Sequence, residues 1–243
     1  MARQHVAPLI PRKVLFGNPD KTQARLSPDG SKIGYLAPVN GVLNVWVGPS
    51  DDPEAARPVT SDTCRGIRFY AWAFTNNHVL YVQDKAGDEN WHIYITDLEG
   101  GETRDLTPME GVQARIERVS HKFPEEILIS TNDRDPRLHD LHLLDLTTGE
   151  RRLLAKNEGF TAFVTDDDLK ARFARRTTPD GGNELLKRTE DGWEPFAKID
   201  MEDSLTTDVI ELDKTGKVLY MMDSRGRDTA ALVALNAETR KET

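Results

Sequence analysis

One cysteine, Cys64, stands in a chain of 243 residues. An intramolecular disulfide and any multi-cysteine metal site are therefore excluded. Long apolar runs are also lacking, so no membrane-spanning helix is expected. No basic run interrupts a charge sum of −9. Nucleic acid and anionic membrane surfaces are thus not expected as partners. No segment sustains the apolar stripe of an amphipathic helix. Residues 1–8 lack the apolar centre of a signal peptide, and a reducing cytoplasm is the expected location. Mean hydropathy is −0.57 and the apolar share 37%. That share is low for a globular protein but above the disordered range, and a chain of this length can bury a sizeable core.

What the chain does contain is a degenerate repeat. Ser27-Pro28-Asp29-Gly30 joins two short apolar stretches as a turn joins two strands. Related strand–turn–strand units centre on Asn76, Pro124, Asp167 and Thr215, so the intervals from Asp29 onward are 47, 48, 43 and 48 residues. Each unit continues through a polar loop, a third strand, a tight turn and a short fourth strand. Pro58 and Pro195 fall in fourth strands, where a missing N–H suits an outer edge. Four antiparallel strands at this period describe a β-propeller blade. The expected fold is all-β, with about five four-stranded blades at 20–60, 67–108, 114–156, 160–199 and 205–243. The fifth stops after its third strand. Either residues 14–16 supply the missing strand of a five-bladed ring, or these blades are a piece of a larger propeller. An open ring would leave edges available for self-association.

The opening Ile10-Pro11-Arg12-Lys13-Val14-Leu15-Phe16-Gly17-Asn18-Pro19, followed by residues 24–35, is one of several telling segments; the others are Gly87-Asp88-Glu89-Asn90-Trp91-His92-Ile93-Tyr94, Asp133-Arg134-Asp135-Pro136-Arg137-Leu138-His139-Asp140-Leu141 and Asp223-Ser224-Arg225-Gly226-Arg227-Asp228-Thr229. In this order they resemble bacterial prolyl-oligopeptidase-family (S9) serine peptidases of the acylaminoacyl-peptidase and dipeptidyl-peptidase type. The resemblance implies a propeller of seven or eight blades, of which this chain is the first part, that caps an α/β-hydrolase catalytic domain of the same polypeptide and restricts access to short peptides. The family's Ser-Asp-His triad has no counterpart here, because no serine sits in a Gly-x-Ser-x-Gly elbow. This chain is therefore expected to carry no catalytic residue and no cofactor, and to be inactive alone.

In that reading, loops between second and third strands meet the catalytic domain or the peptide. Arg134, Arg137, Arg225 and Arg227 could bind a peptide carboxylate or carbonyl through paired N–H donors. Carboxylates such as Asp88 and Glu89 could hold an N-terminal amine, and Asn90 beside them is a further candidate for contact with substrate or with the catalytic domain. The plainer alternative for each is a solvated, salt-bridged or turn-forming side chain. Asp166-Asp167-Asp168 lacks the spacing of a calcium loop, and His139 with His142 does not form a zinc pair in a strand; no metal is expected. Cys64 reads as a buried small residue. Trp46, Trp72, Trp91 and Trp193 read as packing between blades. Two other functions remain open. One is a stand-alone protein-binding scaffold like the periplasmic propeller of the Tol system. The other is a propeller enzyme with channel carboxylates, for which Glu117 and Glu211 are the candidates.

Overall fold

The computed structural model describes residues 9–243. Residues 1–8, which bear on the reading of the N-terminus, lie outside the described residues. A five-residue helix, α1 (Arg12–Phe16), precedes the first sheet. Blade 1 holds β1 (Thr22–Leu26), β2 (Lys32–Val39), β3 (Val42–Pro49) and β4 (Arg57–Pro58). Blade 2 holds β5 (Tyr70–Trp72), β6 (His78–Gln83), β7 (His92–Asp97) and β8 (Thr103–Asp105). Blade 3 holds β9 (Ala114–Ser120), β10 (Phe123–Asp135), β11 (Leu138–Asp145) and β12 (Arg151–Ala155). Blade 4 holds β13 (Ala162–Thr165), β14 (Ala171–Thr177), β15 (Asn183–Arg188) and β16 (Trp193–Ile199). These four are antiparallel meanders; blade 5 has three strands, β17 (Asp208–Leu212), β18 (Val218–Asp223) and β19 (Ala231–Asn236). A single bridge from Leu235 to Glu242 begins a fourth strand alongside β19.

Alternation along each strand sends successive side chains to opposite faces, and the two faces pack on different neighbours. In β10, Ile127 and Ile129 join Leu80, Ile93 and Ile95 of blade 2, while Leu128 joins Leu169 and Phe163 of blade 4. Leu36, Val45 and Val47 of blade 1 meet Tyr70, Trp72 and Val79 of blade 2. Phe173, Leu185 and Phe196 of blade 4 meet Leu219, Met221 and Val233 of blade 5. The core is thus a row of apolar layers between sheets.

Polar links repeat with the blades. Tyr70 Oη donates to Gln23 O at 3.0 Å, Trp72 Nε1 to Arg25 O at 3.2 Å, Arg118 Nη2 to Thr165 O at 2.5 Å and Ser120 Oγ to Asp167 O at 2.6 Å; each joins residues 47 apart. All four start or end on first strands or their turns. Arg118 Nη1 also reaches past blade 4 to Glu211 in β17, at 2.6 Å. A side chain can span from blade 3 to blade 5 only where first strands converge, so these strands line a central channel and the fourth strands lie outside. The turn that opens the repeat is fixed locally. The Asp29 carboxylate accepts from Ser27 Oγ, Ser31 N and Ser31 Oγ, which hold its pKa down at about 2. Its own N–H donates to Asn76 Oδ1 in the next blade at 3.0 Å.

Several expectations need correction. The first turn of blade 3 is His121-Lys122, not Pro124, which lies inside β10. Pairing with β9 skips from Phe123 to Ile127, so the proline breaks no ladder bond. Centred on Lys122, the intervals on either side become 46 and 45 residues. Residues 37–43 and 132–140, where a polar loop is expected between second and third strands, are mostly strand. Asn40-Gly41, at φ 51° and 85°, makes a two-residue turn with the twist that suits a hairpin. Pro136-Arg137 closes the matching hairpin in blade 3 without a residue at positive φ. Residues 14–16 are exposed in α1 and supply no strand to blade 5. Cys64 is exposed, because Asp62 holds its loop by accepting from Cys64 N and Gly66 N at the surface. Of the tryptophans, Trp72 is buried between blades 1 and 2.

The layered core sets an expectation for stability. Ile129→Ala removes a fully buried side chain from the layer between blades 2 and 3 and should cost about 2–5 kcal/mol. Leu153→Ala, on an exposed outer strand, should stay within about 0.5 kcal/mol. Urea denaturation of the two variants reads the difference directly.

Candidate functional site

In an antiparallel meander the turns from second to third strand and the connections between blades emerge at the same end. At that end, blades 2, 3 and 4 enclose a cavity of about 590 Å³ at the channel mouth. Asp88, Glu89, Asn90 and Arg137 all line it. Arg134, Arg225 and Arg227 do not.

The 84–91 loop of blade 2 is shaped by its own polar groups. Asp88 Oδ1 accepts from Lys85 N and Asn90 N, both at 3.1 Å, and Oδ2 accepts from Asn90 Nδ2 at 3.2 Å. These bonds hold the Asp88 carboxyl below its ordinary pKa despite partial desolvation. Ala86, Gly87 and Glu89 have φ of 58°, 92° and 60°. A left-handed conformation costs a residue with a side chain about 1–2 kcal/mol, so the rest of the loop imposes it. Glu89 N donates to Asp84 Oδ2 at 3.3 Å, and Glu89 O accepts from Gln113 Nε2 at 3.2 Å. The Glu89 backbone is pinned from both sides while its carboxylate, exposed at the cavity, makes no salt bridge among the described residues.

The arginines divide by partner. Arg134 donates twice to Asp140, at 2.5 and 2.7 Å, and to Asn157 O at 3.0 Å, tying β10 to the connection into blade 4. Arg137, largely exposed, forks onto Asp135 at 3.2 and 3.0 Å. Arg225 forks onto Asp223 at 2.9 and 2.6 Å and pulls its carboxyl below the ordinary range. Arg227 lies 3.8 Å from Glu242. The last two belong to blade 5, away from the cavity.

The floor comes from β9 and β11, and sequence reasoning missed most of it. Gln113 is the hub. Its N–H donates to Asn132 Oδ1 at 2.7 Å, and its Oε1 accepts from Arg115 Nη2 at 2.8 Å and meets His139 Nε2 at 3.1 Å. His139 therefore carries its proton on Nε2. Burial first, and Arg115 second, push its pKa down to about 4. Glu117, which had been weighed for its chemistry, lies at the junction with a second channel cavity. Burial raises its pKa, against the bond it accepts from Ser130 Oγ at 2.5 Å. Phe160 and Phe163 form an apolar wall, their rings 5.7 Å apart and edge-on. The alternation Arg115-Ile116-Glu117 was the available signal, but it points into a cavity only once the blade order is known. Glu211, the other channel carboxylate, is taken up by Arg118.

Among the described residues no group of three or more His, Cys, Asp or Glu has the geometry to hold a metal ion. Asp166 instead accepts from Asp168 N and Lys170 N and pairs with Arg172 at 2.9 Å. Among the same residues, no helix is long and apolar enough to cross a membrane.

Comparison with known proteins agrees with the propeller fold. No family model matches the chain. It is 46% identical over 237 residues to dipeptidyl aminopeptidase BIII of Pseudoxanthomonas mexicana, a match that covers 97% of this chain and 34% of that protein. It is 32% identical over 250 residues to dipeptidyl peptidase family member 6 of Caenorhabditis elegans, covering 96% of this chain and 34% of that protein. A prolyl endopeptidase structure superposes with a TM-score of 0.66 at 11% identity, over 92% of this chain and 34% of that one. The propeller domain of the trilobed protease of Pyrococcus furiosus, described as having an open velcro topology, gives 0.58 at 16% identity, over 90% and 68%. This chain is a β-propeller domain of the prolyl-oligopeptidase (S9) family. The two structures, at such low identity, speak for the propeller fold alone. As an S9-family propeller, the chain spans about a third of the length of the curated relatives it matches.

The cavity floor yields a pH expectation. The unfolded chain takes up a proton at His139 near its ordinary pKa of 6.5, whereas the folded chain does so only near 4. The unfolded state thus binds more protons between those values, and His139 contributes stability above 6.5 that is lost as pH falls toward 4. An NMR titration should find the His139 ring neutral at pH 5.5, and His139→Gln should flatten the loss of stability across that window.

Proposed function

We propose that the chain is the non-catalytic, substrate-gating propeller of a serine peptidase that hydrolyses short peptides. Its partner in this reading is an α/β-hydrolase catalytic domain of the same polypeptide, which supplies nucleophile, base and oxyanion hole. The cytoplasm is the proposed location. The observation that carries the reading is Glu89, a carboxylate without an ion-pair partner among the described residues, fixed at the channel mouth by a strained backbone. Relatives named dipeptidyl peptidases point to a free peptide N-terminus as the group recognised. An ammonium is the natural complement of such a carboxylate, with Asp88 and Asn90 shaping the loop around it. Arg137, on the same rim, is placed to turn toward a peptide carbonyl.

Blade 5 supports a larger ring. Ile210, Tyr220, Met222 and Leu232 alternate onto its face opposite blade 4 and are exposed. A contiguous apolar sheet face asks for cover. A further blade of the same polypeptide, in a ring of seven or eight, supplies it in the way blades 1 to 4 cover one another. Self-association through this open edge is the competing arrangement.

Glu89→Gln in the full-length protein tests the reading. Losing one charge-assisted contact should lower kcat/KM for free N-terminal dipeptidyl substrates by roughly tenfold or more, and leave N-acylated substrates unaffected. An unchanged kcat/KM would remove Glu89 from amine recognition. A full-length protein with no peptidase activity would leave the scaffold alternative standing.

A further inference from the structure

The channel wall is not uniform. In blades 3 to 5 its cations are matched: Arg118 pairs with Glu211, and Arg175 with Asp208. Two inner-strand cations of blades 1 and 3 have no such partner. Arg25 of β1 lies over the Phe69 ring at 5.4 Å and the Tyr70 ring at 5.8 Å, with no carboxylate in ion-pair contact among the described residues. Arg115 of β9 donates to the neutral Gln113 amide and likewise makes no ion-pair contact; the Glu117 carboxyl two residues on feels its charge, but burial raises the pKa of that group. Residues 1–8 contain no acidic side chain, so they add none. Two unmatched guanidinium groups on the inner strands of a chain with net charge −9 are a local reversal of sign.

Against Arg115 lies an open apolar cleft of about 290 Å³, lined by Phe69, Val82, Trp91 and Ile116, with Arg115 part of its rim. Phe69 is the wall nearest Arg25, whose guanidinium lies 5.4 Å from the centre of its ring. That volume suits one apolar side chain rather than a whole peptide, which would need a larger pocket. The cleft and the channel-mouth cavity are neighbours, with Gln113 and Arg115 lining both.

We infer that the cleft binds the C-terminal residue of a short peptide, its apolar side chain between Phe69 and Trp91 and its carboxylate on Arg115 and Arg25. The inference rests on the reading of the channel mouth as a peptide site and adds the class of ligand. The carboxylate is matched by planar donors that a neutral C-terminal amide cannot satisfy equally. With Glu89 across the mouth, the wall then carries opposite charges for the two ends of one short chain.

The test uses the full-length protein treated with a serine-directed fluorophosphonate, which stops turnover if the peptidase reading holds and does nothing otherwise. Binding of Ala-Ala-Leu, its C-terminal amide and its N-acetyl derivative is measured by calorimetry, with Trp91 fluorescence as a second readout. Amidation should weaken binding roughly tenfold or more, and added salt should weaken the acid more than the amide. Arg25→Gln with Arg115→Gln should abolish the difference between acid and amide. Trp72 holds Arg25 through the backbone carbonyl, so that link survives the substitution. Acid and amide binding equally, a difference that survives in the double variant, or no binding of either would overturn the inference. The acetyl derivative separates the two readings. Loss on acetylation without loss on amidation upholds Glu89 and rejects the cleft; the reverse upholds the cleft and rejects Glu89.

Discussion

No blade of this molecule can bury its own apolar residues. A four-stranded sheet has two faces, and its side chains alternate between them, so each blade needs a neighbour on either side. Ile127 and Ile129 look one way from β10 and Leu128 looks the other. Everything else depends on this constraint: the ring-like arrangement, the convergence of first strands and the cavity where three blades meet. The polar links then fix how far each blade is rotated against the next. Bonds such as Tyr70 to Gln23 and Ser120 to Asp167 join equivalent positions, so they repeat the register that the apolar layers leave loose.

The chemistry at the channel follows from the same arrangement. First strands pair on one edge only, and their other side faces the axis. Polar and charged residues are tolerated there, which is why β9 can carry Arg115, Glu117 and Arg118 on one short strand. Where the axis is crowded these groups neutralise one another, as in Arg118 bonded to Thr165 and Glu211. Where it opens, at the mouth shared by blades 2 to 4, burial sets their protonation. His139 is held neutral and the Glu117 pKa is raised. A fixed loop beside them, whose Glu89 carboxylate has no ion-pair partner among the described residues, makes the mouth a polar, pre-shaped recess rather than a solvated rim.

Much of the fold was legible because turns and strands are local. Ser27-Pro28-Asp29-Gly30 announces its hairpin by residue type, and the Asp29 carboxylate confirms it by capping the turn itself. The 84–91 loop was legible for the same reason, and with it Asp88, Glu89 and Asn90. Errors arose where polar composition passes for loop. Residues 132–135 are charged yet extended, because Arg134 and Asp133 find partners in Asp140 and Arg151 along the sheet. Pro124 passed for a turn although a skipped register accommodates it. The floor of the cavity was least legible. Gln113, Arg115, His139 and Phe160 come from three separate stretches, and only blade packing brings them together.

Native-state hydrogen exchange on this chain tests the dependence of each blade on its neighbours most directly. Blades covered on both faces should be the best protected. The account predicts slowest exchange in β10 and β11, whose layers are closed on both sides, and markedly faster exchange in β18 and β19, whose outer face exposes Tyr220, Met222 and Leu232. Equal protection across all five sheets would show that each blade is stable in its own right, and would contradict the account.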